Sequence, residues 1–552
     1  MKTIIIGGVA GGMSAATRLR RLDESAEITV YEQGPHVSFA NCGLPYFIGD
    51  VIAREESLLL QTPDSLWRRF RIDVRVNSRI VSIDRANKTV VGRDLLTGTE
   101  FTDTYDALVL SPGASPRQLT IPGGERALSL RDVPDAVRIK DAVSGAGAQN
   151  VVILGGGFIG VEVAENLRHR GLGVTLVQQA ETLLPQFDAE MVEPLQSTLE
   201  KNGITLALGR TAVEVTPTEV VLDDGQRVIA DVVISAIGVT ADAEFAVQAG
   251  LRMGTAGGIW VDANHRTSDP HIFAVGDAAQ KHSALTGADQ MIWLANLANR
   301  HGRAVADVIA GVESPERDSQ GTGIIGAFGM VTAITGLSEK GARAAGIDYL
   351  VAHAHPGSHA GYYPGSETLA LKVLFHPETG KILGAQATGS DGADKRIDVL
   401  ATAIYAGLTV DDLMNIELAY APQFGSAKDA VNQLGYVANN IWHKRTPSVQ
   451  WHELEARVAA GATVLDVRTE PENDVRAIPG SLHIPLDELR ARLDEVPSGE
   501  VIVHCRVGQR GHTATQILRQ NGKNAHNLDG GCLTWLAGMD SRERAHTVLA
   551  PR

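Results

Sequence analysis

Three cysteines, Cys42, Cys505 and Cys532, are the only thiols in the 552-residue chain. A thiolate attacks sulfur and oxygen, so each cysteine is a candidate redox or sulfur-transfer site. Cys42 lies in SFANCGLPY with Ser38 and Asn41 beside it. No second cysteine follows nearby, the positions beyond it holding Tyr46 and Phe47, so Cys42 has no disulfide partner there. Its reaction partner must then be an exogenous sulfur or oxygen, giving either a mixed disulfide or a sulfenic acid. Cys505 opens a tight loop between a strand and a helix in VIVHCRVGQRGHTATQIL, with Arg506 inside the loop and Arg510 closing it. Backbone N–H groups at a helix start can hold a thiolate or a persulfide anion, and a C-x5-R phosphatase loop, one residue longer than Cys505–Arg510, would use the same groups. Cys532, in DGGCLTWL, reads as a small buried residue.

Two glycine turns must position this chemistry. The first is GGVAGG, comprising Gly7, Gly8, Ala10, Gly11 and Gly12 around Val9, between the strand KTIIIG and a helix over 11–22. Such a turn lets backbone approach a pyrophosphate at the helix N-terminus. Val9 replaces the middle glycine of G-x-G-x-x-G. Glu32 ends the next strand, 27–32, where a ribose-binding acid belongs. The second turn, LGGGFIGVE, has Gly155, Gly157 and Gly160 at the full spacing. Its following strand ends in Gln178 instead of an acid, and no arginine follows at once, which leans towards NADH and leaves NADPH open. Strand, glycine turn, helix and strand form a βαβ unit, so parallel sheets are expected.

Composition sets the frame. The 50 basic and 65 acidic residues leave a net charge of −15, a poor match to nucleic acid or an anionic membrane. No apolar run is long enough to span a bilayer, and an odd, sparse cysteine count is not a secreted disulfide framework, so a cytosolic compartment is expected. Length alone predicts about three or four domains. The stretch 368–389 reads as a hairpin around HPETGK, and HKRTPSV at 443–449 as a linker. Three histidines in HAHPGSH, 353–359, read as loop or substrate-mouth residues with no metal site.

A third element, TSDPHIFAVGDAA, places Asp277 after a strand. Following two dinucleotide turns, it resembles the second flavin motif of the two-dinucleotide-binding-domain flavoproteins. That resemblance implies FAD in the first domain, with Asp277 on the ribityl chain, and NADH or NADPH in the second. SFANCGLPY after GGVAGG, with HAGYYPGSE and ELAYAPQFGSAKDAVN, resembles the coenzyme A disulfide reductases. There, two tyrosines from the partner subunit reach the active site, and the carry-overs are Tyr362, or less favourably Tyr363, and Tyr420. Coenzyme A needs cations. Arg18 and Arg21, one helical turn apart, match the family's basic positions, with Arg71 and Lys428 as further candidates. DVR, IPG and HIPL before Cys505, and DGG and W after it, resemble a rhodanese module.

The whole therefore resembles the coenzyme A disulfide reductase–rhodanese fusions, also described as NAD(P)H-dependent persulfide reductases. The implied fold is α/β, with two Rossmann-like dinucleotide-binding domains, an α+β dimerisation domain and a C-terminal rhodanese domain. The expected bounds are 1–115 with 245–320 for FAD, 116–244 for NAD(P)H, 321–442 for dimerisation and 450–545 for rhodanese. The implied assembly is a homodimer. The implied activity is S–S cleavage in coenzyme A persulfide, polysulfide or disulfide through Cys42, with Cys505 relaying sulfane sulfur. A single-cysteine NADH oxidase or peroxidase carrying an independent rhodanese is the rival reading.

Overall fold

The computed structural model describes residues 1–145, 147–312 and 318–545. They form two compact units, 1–176 with 212–319, and 177–211 with 320–552, the latter as far as it is described.

In the first unit, Lys2–Ile6 is a strand with four buried residues in a row. It pairs in parallel with Glu27–Tyr31 on one side and Ala107–Leu110 on the other, within a five-stranded sheet. Runs buried on both faces are what a parallel sheet covered by helices requires. The helix Ala10–Leu22 presents Met13, Ala15, Ala16 and Leu19 to one face. Helix Ala295–Ile309 packs closely on it: a Cβ on Gly302 would lie 2.1 Å from the Gly11 carbonyl oxygen. A second βαβ cycle runs through strand Asn150–Leu154 and helix Phe158–His169, with Val232–Ser235 parallel to the strand. Both cycles match the sequence reading to within a residue or two.

Among the described residues, two sheets lie wholly within the second unit. One is antiparallel, ordered Thr322–Ala327, Met330–Gly336, Ile382–Gly389, Ala370–Phe375, Leu350–Ala354. The hairpin expected over 368–389 is its two strands Ala370–Phe375 and Ile382–Gly389. The other is parallel, ordered Ser448–Val449, Asn524–Leu528, Glu500–His504, Thr463–Asp466, Leu482–His483. The expected linker 443–449 is therefore shorter than read, because Ser448–Val449 adds an edge strand beside Asn527 and Leu528.

The loop reading of the three histidines holds for His355 and His359, which follow the strand Leu350–Ala354, and fails for His353. His353 lies on the strand Leu350–Ala354, only 2% exposed, directly across from Lys372 on the neighbouring strand. Two like charges facing each other are unfavourable. Carboxylates resolve the conflict. The Lys372 ammonium meets Asp188 at 2.8 Å, Glu339 at 2.6 Å and Glu190 more closely still. His353 Nε2 meets Glu190 at 3.2 Å and Nδ1 meets Asp529 at 2.7 Å. Asp188, Glu190 and Glu339 have the spacing of a metal site, but Lys372 already supplies the cation.

Burial works against a charged His353, yet Asp529 and Glu190 outweigh it and hold its pKa up at about 9. The groups facing it are Asp529, Glu190, Lys372 and the neutral His355. A raised histidine stabilises the fold fully below its ordinary 6.5, and that contribution is lost as pH rises through about 9. The rise is worth roughly 3 kcal/mol. We expect the melting temperature to drop as pH passes 9, and to drop less in His353→Gln. Parallel curves for the two proteins would remove this role from His353.

Candidate active site

The first turn leaves no room for side chains. Gly7 has φ +97°, and a Cβ there would lie 1.9 Å from the Ser111 carbonyl oxygen. A Cβ on Gly12 would lie 1.9 Å from the Gly7 oxygen, and one on Gly8 2.8 Å from Val37. Glycine is thus required by close backbone packing as well as by conformation. Glu32 accepts the N–H groups of Gly8 and Gly34, each at 2.7 Å. Its burial pushes its pKa up, against those two bonds. A cavity of about 580 Å³ opens beside this strand end, lined by Gly7, Glu32, Ser78, Pro112, Arg131 and Asp242 among others. Asp277 follows Gly276, whose φ is +69°, and burial raises its pKa too. A glycine cradle, a buried acceptor and an adjoining cavity suit the diphosphate and ribose of a dinucleotide such as FAD.

At the second turn Gly155 has φ +107° and backs onto the Ala236 oxygen, where a Cβ would stand at 2.3 Å. A Cβ on Gly160 would lie 1.9 Å from the Gly155 oxygen, whereas nothing lies within 4 Å of one on Gly157. Gly157 is the position left open for close approach. In the other unit, the Arg210 N–H donates to the Gln178 carbonyl at 3.1 Å. An arginine therefore does neighbour Gln178, though 32 positions later in the chain.

Cys42 is exposed and sits in the single turn Asn41–Gly43 that leads into helix Leu44–Ile48. Ser38, just before it, takes φ +49°, and its N–H donates to the Gly8 oxygen at 2.8 Å, tying the cysteine segment to the first turn. Partial burial raises the Cys42 thiol pKa, and the charges of Glu162 and Asp277 raise it further. Glu162, on helix Phe158–His169, has its own pKa pushed up to about 7, chiefly by burial, and accepts from the Tyr46 hydroxyl at 3.5 Å. Sequence reasoning missed Glu162. Its signal is its place one turn into the helix after the glycine motif.

The basic candidates divide. Arg18 pairs with Asp307 at 2.7 Å. Arg21 lies over Phe70 at 5.7 Å and Arg71 over Trp67 at 5.4 Å, so these two gather beside one aromatic patch. Beside it lies Arg20, a cation of the same helix to which the sequence reading gave no site role. Buried, it donates to the carbonyls of Phe70, Asp23, Glu24 and Arg71.

In the second unit, Tyr362 and Tyr420 are brought together, with their hydroxyls 3.0 Å apart. They are 77% and 49% exposed. Tyr363 instead meets His359 edge-on at 5.6 Å. Buried Arg396 fixes both segments, donating to the Ser358 carbonyl and to Asp429 at 2.8 Å each. Lys428 is exposed beside Asp429.

Cys505 is fully buried, and its Sγ accepts the Gly508 N–H at 3.2 Å. Arg506 is exposed. Arg510 lies in the first turn of helix Gln509–Gln520 and holds Glu472 through two bonds of 2.7 and 2.6 Å. That pairing depresses the Glu472 pKa to about 2. Beneath the loop, Asp466 and Arg468 are joined side by side. Cys532 is buried at 2% exposure, as expected.

The profile described as "Pyridine nucleotide-disulphide oxidoreductase" matches residues 1–302. The chain belongs to the pyridine nucleotide-disulphide oxidoreductases. The dimerisation domain of that family matches residues 328–431, and a rhodanese-like domain matches 450–538. A coenzyme A disulfide reductase of Staphylococcus epidermidis is 34% identical over 438 residues, covering 79% of this chain and 99% of its own. The crystal structure of reduced CoADR-RHD from Bacillus anthracis is 43% identical and covers 98% of both chains with a TM-score of 0.96. An NAD-dependent persulfide reductase from A. fulgidus is 34% identical, with a TM-score of 0.92 over 97% of this chain and 100% of that one. This oxidoreductase therefore has the α/β fold and rhodanese module that the resemblance implied.

Two outcomes follow for the family member described here. Gly12→Ala should purify with flavin content lowered at least about tenfold, read from the visible absorbance, because the new Cβ meets the Gly7 oxygen. Unchanged flavin content would remove the turn from the cofactor site. Glu162→Gln should speed alkylation of Cys42 near neutral pH by roughly threefold, through loss of a neighbouring negative charge. An unchanged or slower rate would show that Glu162 does not restrain the thiol.

Proposed function

We propose that this oxidoreductase uses NAD(P)H to cleave S–S bonds of coenzyme A persulfide, polysulfide or disulfide, and that its rhodanese module supplies sulfane sulfur through Cys505. The observation that carries the reading is the solitude of Cys42. All three cysteines are free, and the other two belong to the second unit, beside the rhodanese loop. A lone thiol cannot close an internal disulfide, so on a sulfur substrate it passes through a mixed disulfide with that substrate.

FAD, held by Gly7, Gly8, Gly12, Glu32 and Asp277, supplies a two-electron route from NAD(P)H to sulfur when bound. The remaining steps belong to the chain. The Cys42 thiolate attacks one sulfur of R–S–S–R′, forming Cys42–S–S–R and expelling R′–S⁻. Two electrons and protons then restore the Cys42 thiol and release R–SH, so one NAD(P)H and one proton are consumed per S–S bond. With coenzyme A persulfide the departing group is either HS⁻ or the coenzyme A thiolate. Asn41 and Ser38 hold substrate beside Cys42. Arg18, Arg21, Arg71 and Lys428 are assigned to the phosphates of coenzyme A. Tyr362 and Tyr420 donate phenolic protons to the departing thiolate.

Their exposure in one chain, and the match to a dimerisation domain, support a homodimer in which each chain offers its tyrosines to its partner. The reading keeps the domain bounds expected from the sequence. Among the described residues no helix is long and apolar enough to cross a membrane. The reaction itself, which needs a free thiol, suits the reducing cytoplasm.

The test is anaerobic NADH and NADPH oxidation with coenzyme A persulfide, coenzyme A disulfide and peroxide compared side by side. Turnover on the sulfur substrates is expected, falling at least about a thousandfold in Cys42→Ser. Turnover on peroxide alone would overturn the reading in favour of a single-cysteine oxidase or peroxidase.

A further inference from the structure

The Gly530-Gly531 turn is confined from two sides. Both glycines have positive φ, +68° and +64°. A Cβ on Gly531 would lie 2.6 Å from the Cys505 carbonyl oxygen and 2.7 Å from the Gly508 nitrogen. The next two N–H groups, of Cys532 and Leu533, donate to the carbonyls of Cys505 and Arg506 at 2.8 and 3.0 Å. The turn is therefore the back wall of the Cys505 loop.

On the other side stand residues from outside the rhodanese sheet. A Cβ on Gly530 would lie 2.9 Å from His353 Cβ. His353 holds Asp529, the residue before the turn, through its backbone N–H at 3.0 Å as well as through its ring. His355 Nε2 meets the Thr534 hydroxyl, just beyond the turn, at 2.7 Å. Gln450 adds a bond to Asp529 at 3.1 Å. The two histidines thus grip both ends of a six-residue stretch, Asp529–Thr534, whose middle touches the Cys505 loop.

We propose that His353 and His355 are positioning residues for Cys505, clamping the turn that fixes the loop in which its sulfur is held, so that sulfur transfer depends on a strand of the neighbouring module. The inference rests on the reading of Cys505 as the sulfur-carrying nucleophile. The protonation states fit the clamp. His353 is charged below about pH 9 and so donates to both Asp529 and Glu190, while burial and the His353 charge push the His355 pKa down to about 3, leaving it neutral against Thr534. The charged groups around the pair are Asp529, Glu190, Lys372 and, towards His355, Arg506.

The test is single-turnover loading of the full-length flavoprotein with thiosulfate, in which Cys505–S⁻ takes the sulfane sulfur to give Cys505–S–S⁻ and sulfite leaves. Sulfite release is followed from about pH 6 to about pH 10. The wild type should lose rate as pH passes about 9, where His353 loses its proton. His353→Gln should load about tenfold more slowly at neutral pH and lack that alkaline fall, with NAD(P)H-dependent disulfide reduction within twofold of wild type. If His353→Gln does not fold, Thr534→Val is read for the same tenfold loss, since it removes only the hydroxyl that His355 meets. Loading rates within twofold of wild type, or an unchanged alkaline fall, would overturn the clamp. A wild type that loads no faster than Cys505→Ser would overturn the sulfurtransferase reading instead.

Discussion

A lysine ammonium removed from water must be surrounded by negative charge or lose its proton. Lys372 is wholly buried, and three carboxylates answer it. Much of the second unit hangs on that one arrangement. Glu190 is shared with His353, which makes a second buried cation tolerable on the adjacent strand. His353 in turn neutralises Asp529, the residue that enters the turn behind Cys505. Removing any member would leave an uncompensated charge in the interior, which costs far more than the net value of the intact group. The charges thus act as a joint between an antiparallel sheet and a parallel one.

The first unit is governed by a different constraint, the distance of closest approach between backbones. At Gly7, Gly12, Gly155 and Gly160 a single methyl group would overlap a carbonyl oxygen. These positions bring helix N-termini onto strand ends, where free N–H groups gather. Around Cys42 the electrostatics run the other way. Partial burial of its sulfur and two acids raise its pKa, so less of the resting cysteine is thiolate than in an isolated one.

Much of this was legible in the residues. Glycine spacing after an apolar strand has one dominant structural meaning, so both βαβ cycles and the acid at Glu32 could be read directly. The absence of a partner for Cys42 is a matter of counting. What escaped was everything that depends on long-range pairing. HAHPGSH looks like a polar loop because histidine carries no periodic signature, and the carboxylates that bury His353 come from 163 residues before it and 176 after it. Arg20 and Arg396 were hidden for the same reason: a buried arginine is recognisable only through the carbonyls and carboxylates it satisfies. Arg18 and Arg21 share a helix face as read, yet one meets an acid and the other an aromatic ring.

The joint at Asp529 also bears on how such a chain can be taken apart. A rhodanese fold excised at the Pro447 region would carry Asp529 away from His353 and leave that histidine with Glu190 as its remaining carboxylate. A module swapped in by recombination would have to present partners for His353 and His355 where Asp529 and Thr534 stand. The fusion is then inherited as a unit. Lineages that lose the C-terminal module should also show drift at His353 and His355, because that loss removes Asp529 and Thr534, the partners that each of them meets across the joint.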